Sequence, residues 1–308
     1  MDDSRFRACT DALLRELVPA MGCTEPIAVA YAAALAKKTL GKLPERAEIE
    51  VSGNILKNVK SVIVPHTGGL RGVESAAAAG FVAGDADREL EVLASVREEE
   101  YPRIAEYRSR TPLPVREAAA GCVFDIGIRA FCDSHTAFVR ITGHHTNVVR
   151  LEKDENVLIN RTESGEADPA SDPLTVRAIV EFAKEDDLSE VKEALERQIE
   201  YNTAICDEGL RNDWGARVGK TLLNAFGDDI HNRAKAWAAA GSDARMNGCP
   251  LPVVVVSGSG NQGITASVPV IAYARHLNVP HEQLLRALAL SDLVTIHLKS
   301  GIGRLSAY

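Results

Sequence analysis

Helical patterns at both ends of the chain enclose a block of strand-like sequence, and this order restricts the fold more than any other feature. The first 40 residues predict two helices, over residues 3–18 and 26–40, closed by Gly41 and Pro44. Between residues 45 and 162, β-branched runs and alternating apolar positions predict strands. A polar stretch with linker composition follows, RTESGEADPASDP, and helical spacing then resumes.

The simplest architecture for this order is an α+β fold, in which a discontinuous, mainly helical domain receives an inserted α/β domain. We predict a helical catalytic domain at residues 1–42 and 170–308, incomplete at its C-terminal side, and the inserted α/β domain at residues 43–169. A chain of 308 residues is long enough for two domains. The strands expected in the insert are AEIEVSGN, VKSVIVP, LEVLASV, GCVFDIGIRAFC, TAFVRITG and HTNVVRLEKDENVLIN, with a small-residue helix at ESAAAAGFVAG.

Composition limits the classes of partner. The net charge is −8, and no basic stretch is interleaved with aromatic residues, which disfavours nucleic acid as a partner. No apolar run reaches the roughly 20 residues that cross a bilayer, and the charged N-terminal stretch lacks a signal-peptide core. We therefore expect a cytoplasmic protein without a membrane partner, and the alanine-rich helices allow a homodimer.

The stretch MGCTEPIAVAYAAALAKK places a cysteine just before an apolar helix. Thr24 can cap this helix, Glu25 complements its positive end, and Pro26 suits its first turn. Cys23 therefore lies at a helix N-terminus, where the field favours a thiolate that attacks electrophiles or binds metal. The alternative is that Cys23 is a small buried hydrophobic residue.

The other cysteines give no ligand pattern, because the six thiols are scattered without a C-x-x-C pair. Spacing alone identifies no set of three or four for an iron–sulfur cluster. Cys122 and Cys132 lie in an apolar strand-like run and are interpreted as packing residues, whereas Cys206 and Cys249 are ambiguous.

A glycine-rich loop follows a run of four valines, with Gly258, Gly260 and Gly263 in G-x-G-x-x-G spacing. A dinucleotide fold needs a further strand after the next helix, but the continuation has helical spacing, and Pro269 is expected to interrupt the helix after one turn. The loop would suit a small carboxylate, since Ser259, Asn261 and Gln262 are polar, the glycines allow close backbone approach, and a helix N-terminus favours anions. The alternative is a glycine-rich helix corner.

Two further loops are polar. VPHTGGLRG contains Thr67, and ITGHHTNVV contains His144, His145 and Asn147. Adjacent strand residues point to opposite faces, so both histidines are not expected to reach one metal ion. One of them is interpreted as a polar substrate contact, with a plain turn as the alternative.

Several short pieces, in order along essentially the whole chain, together resemble the L-cysteine desulfidase family, which is related to the α region of iron–sulfur L-serine dehydratases. The pieces are G-C-T-E-P at 22–26, N-I-L-K-N and P-H-T-G-G within 54–69, H-T-N at 145–147, S-D-A-R-M at 242–246, G-S-G-N-Q-G at 258–263 and H-L-K-S-x-I-G-R-L-S-A at 297–307. The resemblance implies a carbon–sulfur lyase of cysteine catabolism that converts L-cysteine to pyruvate, ammonia and hydrogen sulfide without pyridoxal phosphate. It also implies a [4Fe–4S] cluster held by three cysteines, whose open iron acts as a Lewis acid on the leaving sulfur.

The resemblance assigns one residue role, and the other roles are chosen from side-chain chemistry, with a surface or helix-packing residue as the alternative for each. Cys23 matches the cluster ligand of the G-C-T-E-P piece. Lys299 or His297 is expected to act as the base. We expect the remaining substrate-binding residues to recognise an amino acid across a cleft; they are Ser259, Asn261 and Gln262 in the helical domain and Thr67 and Asn147 in the insert.

One departure limits these expectations. In the family the piece matching RLSA leads into a cysteine-containing helix and a later cysteine, whereas this sequence stops at Tyr308. We therefore expect this 308-residue chain to lack a complete cluster, and so to be inactive alone, as a truncated, cleaved or naturally shortened form. Two alternatives stay open: an L-serine dehydratase-like deaminase, and a cluster-free chain that only binds an amino acid.

Overall fold

The computed structural model describes residues 3–119, 122–161, 174–184 and 187–300. Its helices are α1 (Asp3–Glu16), α2 (Thr24–Leu40), α3 (Gly53–Val59), α4 (Val73–Ala83), α5 (Tyr101–Arg110), α6 (Val176–Lys184), α7 (Ser189–Arg211), α8 (Val218–Phe226), α9 (Ile230–Met246), α10 (Gly260–Leu277) and α11 (His281–Ser300). Its strands are β1 (Pro19–Met21), β2 (Arg46–Val51), β3 (Val115–Glu117), β4 (Asp125–Cys132), β5 (His135–Thr142), β6 (Val148–Lys153), β7 (Asn156–Asn160) and β8 (Pro252–Val254). These elements confirm the α+β fold class.

The described residues form two compact units. Residues 3–20 and 174–300 form a helical unit, and residues 21–161 form a sheet unit. The first junction differs from the predicted one at residue 42, because α2 packs against α4 and the strands of the sheet unit. The predicted linker after Arg161 and the predicted junction at residue 169 lie outside the described residues.

The sheet unit is built on a mixed six-stranded sheet in the order β3-β2-β4-β5-β6-β7. Strand β3 runs parallel to β2, and the other neighbours are antiparallel. On β2 the side chains of Ala47, Ile49 and Val51 are fully buried and alternate with exposed ones, as the sequence predicts. This alternation fixes which face of the sheet is covered.

Two strand predictions in the insert are wrong, and a third segment is strand as predicted but contains two strands. VKSVIVP begins with Val59, the last residue of α3, and beyond it only Ile63 forms an isolated bridge, with Arg71. LEVLASV lies at the end of a 3-10 helix, Ala86–Glu91, and in the turns after it. HTNVVRLEKDENVLIN forms two strands, β6 and β7, around a turn at Asp154. Short β-branched runs bury equally well in loops and strands, so their composition did not distinguish the two.

Small residues let α2 and α4 pack closely. A Cβ added to Gly80 would overlap the backbone carbonyl of Ala30. Six of the 17 residues of α2 are alanine, and 13 of the 17 are buried. The alanine-rich stretch at residues 28–36 therefore belongs to the core of the sheet unit.

The helical unit is organised around α7, which packs against α9, α10 and β8. The buried amide of Asn202 on α7 donates to the Val254 carbonyl and accepts from the Val254 N–H at 2.8 Å, much as a neighbouring strand would. The same amide nitrogen donates to Ser267 Oγ on α10 at 3.0 Å. One side chain thus joins β8 to α10.

The expected break at Pro269 is not observed, because α10 continues through this residue to Leu277. A proline inside a helix removes one backbone donor and disturbs the preceding turn. The Thr265 carbonyl is the one that loses its helical donor. The next carbonyl, of Ala266, accepts a hydrogen bond from Ser291 Oγ of α11 at 2.7 Å, so α11 contacts the turn before the proline. None of the helices in the described ranges combines the length and hydropathy that a bilayer span requires.

Candidate functional site

In the sheet unit, the start of α2 holds a polar cluster made of the buried Cys23, Thr24 and Glu25 and the partly exposed Asn58, which we call the α2 cluster. Cys23 is the N-cap residue, in place of the predicted Thr24, and its side chain makes no capping bond. Its Sγ donates to Glu25 Oε2 at 3.0 Å, and Thr24 Oγ1 donates to the same oxygen at 3.2 Å. Asn58 on α3 donates from Nδ2 to Glu25 Oε1 at 3.4 Å.

This cluster brings together two motif pieces that are far apart in sequence, G-C-T-E-P and N-I-L-K-N. Cys23 is 6% exposed, and Glu25 is fully buried. A thiolate at this position would face the like charge of the Glu25 carboxylate. The helix field that favours a Cys23 thiolate is therefore opposed by the neighbouring carboxylate.

Thr67 lies in the loop between α3 and α4. Its buried hydroxyl donates to the Val64 carbonyl at 2.7 Å and accepts from the Leu70 N–H at 3.2 Å. A Cβ on Gly22, which has a φ of 58°, would overlap Pro65, so this loop packs against the residue just before Cys23. The Thr67 hydroxyl therefore holds the loop in shape, and its contact with substrate stays a prediction.

Asn147 and the two histidines form the loop between β5 and β6. Asn147 Nδ2 donates to the Thr142 carbonyl at 3.0 Å and closes the loop. His145 is buried with its ring edge against Phe124, at 4.8 Å between centroids, whereas His144 is partly exposed. The two histidines thus differ in environment, and the proposed substrate contact of Asn147 stays a prediction.

In the helical unit, a tight turn leads into α10. Val256 and Ser259 exchange two backbone hydrogen bonds, at 3.2 and 3.1 Å. Ser257 and Gly258 between them have φ values of 48° and 76°, which is typical of a type I′ turn. Ser259 is the N-cap of α10, where its Oγ accepts from the Gln262 N–H at 3.3 Å.

The glycine spacing in this loop serves close packing. A Cβ on Gly263 would overlap the Val254 carbonyl, and one on Gly260 would overlap the Nε atom of Arg245. Strand β8 pairs only with β1 in a two-stranded sheet, so the described residues form no dinucleotide-binding sheet behind this loop. The structure thus agrees with the sequence argument against a dinucleotide site.

Arg245 is the side chain at this loop that the sequence analysis did not select, although it lies in the S-D-A-R-M piece. It is 2% exposed, and its Nη1 donates to Asn261 Oδ1 at 2.9 Å and contacts Met246 Sδ at 3.6 Å. Its Nε and Nη2 make no hydrogen bond with any residue that the structure describes. Buried donors without an acceptor are costly, which marks this guanidinium as a candidate ligand contact.

His297 and Lys299, the two predicted bases, lie in the last turn of α11. Two residues along a helix turn the side chain by about 200°, so the two residues face different directions. Lys299 follows the fully buried Asp292 by two helical turns and lies on the same face. Burial lowers the pKa of Lys299, which favours the neutral amine that a base requires.

All six cysteines lie in described residues, and their surroundings test the predicted cluster. Cys9, Cys206 and Cys249 are fully buried in the helical unit, and burial raises the pKa of each thiol, to about 11 for Cys9 and Cys249. Binding of a metal at any of these thiols would require loss of that proton.

In the sheet unit, Cys132 lies beside Asp133, which pairs with Lys42 just beyond the C-terminal end of α2. Cys23 is at the opposite end of this helix, about 25 Å away at 1.5 Å per residue. Ligand atoms of Glu45, Cys132 and Asp133 lie within 4.8 Å of one another, but both carboxylates are exposed. Cys23 and Cys132 therefore do not share one ligand site, and the close group of three metal-ligating side chains found among the described residues does not include Cys23.

Comparisons with known proteins place the chain in a family. The family model described as "Serine dehydratase alpha chain" matches residues 87–308. A UPF0597 protein of Desulfitobacterium hafniense is 49% identical over 312 residues, which cover 99% of this chain and 72% of the relative. UPF0597 proteins of Lachnoclostridium phytofermentans and Treponema denticola are 46% and 42% identical, over 98% and 100% of this chain and 73% and 74% of theirs. No solved structure matches the chain. The match over most of the chain and these identities show that the chain belongs to the serine dehydratase alpha-chain family, as the motif resemblance indicated.

Proposed function

We propose that this protein is a lyase that removes the β-substituent of a small amino acid, with L-cysteine as the substrate and L-serine as the second candidate. The observation that carries this proposal is the match of residues 87–308 to the serine dehydratase alpha chain. The motif pieces favour cysteine, since they resemble the desulfidase branch. The partly buried amine on α11 and the buried guanidinium beside α10 supply polar groups suited to an amino acid.

The reaction begins with removal of the α-proton, and the β-carbon then loses its thiol or hydroxyl group. Lys299 takes this proton, because desolvation lowers its pKa and raises the fraction of free amine. The aminoacrylate that results tautomerises to an imine, and water hydrolyses the imine to pyruvate and ammonia. For L-cysteine the balance is one water consumed, with one pyruvate, one ammonia and one hydrogen sulfide released.

Cys23 is the proposed ligand of an iron–sulfur cluster, on the strength of its motif alone. Because the described residues supply no further thiolates beside it, we assign no step of the reaction to a cluster. The same observation favours a second candidate function, in which this chain binds an amino acid without turning it over.

An anaerobic product assay separates these functions. The chain is incubated with L-cysteine or L-serine, and pyruvate, ammonia and sulfide are measured. Equal amounts of pyruvate and sulfide from L-cysteine support the proposal, and loss of both in Lys299→Met but not in His297→Gln supports the choice of base. Pyruvate from L-serine alone indicates the deaminase. Saturable binding without product from either substrate overturns the lyase proposal in favour of the binding function.

A further inference from the structure

We infer that Arg245 and the N-terminus of α10 form a binding site for a small carboxylate, which in the proposed function is the α-carboxylate of the amino-acid substrate. The identity of the substrate rests on the proposed function, whereas the anion site rests on contacts within the helical unit alone.

The orientation of Arg245 is the first observation. The residue lies in the last turn of α9, and its Nη1 is fixed by Asn261 Oδ1 at 2.9 Å. This contact uses one end of the guanidinium and leaves Nε and Nη2, the two donors of one edge, without a partner among the described residues. Two parallel donors on one edge match the two oxygens of a carboxylate. The shape of the open edge therefore favours a planar anion with two oxygens.

The position of the guanidinium is the second observation. Any side chain on Gly260, the first residue of α10, would overlap Nε of Arg245, so the cation lies directly over the start of this helix. The helix has 18 residues and no acidic residue in its first turn. A helix N-terminus carries a partial positive charge and favours anions. Two positive features therefore meet here, and no carboxylate of the described residues pairs with Arg245.

The cost of this arrangement points to a ligand. Arg245 is 98% buried, since its exposed fraction is 2%, and neither open donor can reach bulk water readily. A buried cation normally requires a counter-ion and hydrogen-bond acceptors. A bound carboxylate would supply both at once, and it would also accept from N–H groups of the first turn of α10.

This inference changes the roles of two predicted residues. Asn261 becomes a positioning residue that holds Arg245, because its side-chain oxygen already accepts from Nη1. Ser259 becomes the helix cap, because its hydroxyl accepts from the Gln262 N–H. The direct contact with the carboxylate passes to Arg245.

The test is a calorimetric titration of the chain with pyruvate, which carries the carboxylate but cannot undergo elimination. We expect Arg245→Lys to weaken pyruvate binding at least tenfold, because lysine keeps the charge but loses the two-donor edge. Arg233→Lys is the matched control on the same helix, since Arg233 is exposed and paired with Asp228. We expect that control to bind pyruvate as the unmodified chain does.

Asn261→Ala provides a second variant in case Arg245→Lys does not fold, which circular dichroism would reveal. We expect it to weaken pyruvate binding severalfold, because the guanidinium loses its anchor. The inference would be overturned if the folded Arg245 and Asn261 variants bound pyruvate as tightly as the unmodified chain does. It would also be overturned if the unmodified chain bound inorganic phosphate more tightly than pyruvate.

The outcome is separable from that of the proposed function. Pyruvate binding that depends on Arg245, without product from L-cysteine or L-serine, supports the carboxylate site and contradicts the lyase proposal. Product formation by Arg245→Lys with the same KM as the unmodified chain supports the lyase proposal and contradicts the carboxylate site.

Discussion

The starts of α2 and α10 both carry motif residues, yet they treat the positive end of a helix in opposite ways. At α2, Glu25 stands in the first turn, and three side chains donate to its carboxylate. At α10 the first turn has no acidic residue, and the buried guanidinium of Arg245 adds a second positive feature. The first helix start contains its own anion, whereas the second offers donors to one.

This difference separates two kinds of polar burial. In the α2 cluster the charge and the donors compensate each other, which is typical of a structural network. At α10 the compensation is incomplete among the described residues, which is typical of a binding site. The hydrogen-bond partners of a buried polar group therefore indicate whether it binds a ligand, whereas its residue type alone does not.

The largest expected effect is on the pH dependence of stability, and it comes from a buried carboxyl group away from any helix start. Asp292 in the middle of α11 is fully buried and accepts from Gln198 Nε2 at 3.0 Å. Burial raises its pKa from 3.8 to about 7. The folded protein therefore binds this proton more tightly than the unfolded chain does, and stability falls as pH rises from about 4 to 7, by roughly 4 kcal/mol.

Asp292→Asn removes this dependence and keeps an acceptor for Gln198. We expect urea titrations at pH 8 to give a larger free energy of unfolding for this variant than for the unmodified chain. Between pH 4 and 7 the variant should lack the decrease that Asp292 causes. Identical pH profiles for the two proteins would show that the Asp292 carboxyl is not desolvated as described.

The second prediction concerns the carboxylate of the α2 cluster. Glu25→Ala leaves the donors of Cys23, Thr24 and Asn58 without their shared acceptor in a buried site. We expect a loss of about 3 kcal/mol in the free energy of unfolding, since three hydrogen bonds are lost and each contributes about 1 kcal/mol. Glu25→Gln retains one acceptor oxygen and should lose less. One hydrogen bond contributes about 1 kcal/mol net. A smaller loss than that for the alanine variant would mean that the three donors do not depend on Glu25.

The smallest expected effect contrasts the two N-cap residues. Ser259 caps α10 through its side chain, whereas Cys23 makes no capping bond at α2. We expect Ser259→Ala to lower the free energy of unfolding by about 1 kcal/mol and Ser259→Thr, which retains a hydroxyl, to change it by less. Thermal unfolding followed by circular dichroism measures both. An equal effect of the two substitutions would argue against the capping role.

The sequence predicted those parts of the fold that depend on long periodic patterns. The helices α7, α9 and α11 and the strands β4 and β5 follow from spacing, which extends over many residues. The short run VKSVIVP was misassigned, because seven residues satisfy both a strand and a loop that buries its apolar side chains.

The candidate site was less predictable, because its geometry depends on contacts between distant residues. Sequence spacing indicated that Ser259 and Asn261 lie at a helix start, but it could not show that Arg245 lies over Gly260. Likewise the helix position of Cys23 suggested a thiolate, and only the conformation of Glu25 shows that a carboxylate accepts from this thiol. Motif membership of Arg245 was the one available signal.

The discontinuity of the helical unit has a consequence for how the chain is made. Helix α1 packs against α6, α7 and α11, which are encoded more than 150 residues later. During synthesis from the N-terminus, the contiguous sheet unit can complete its own contacts while α1 still lacks its partners. The long sequence separation of those contacts also predicts slow folding of the helical unit relative to a continuous helical bundle of the same size.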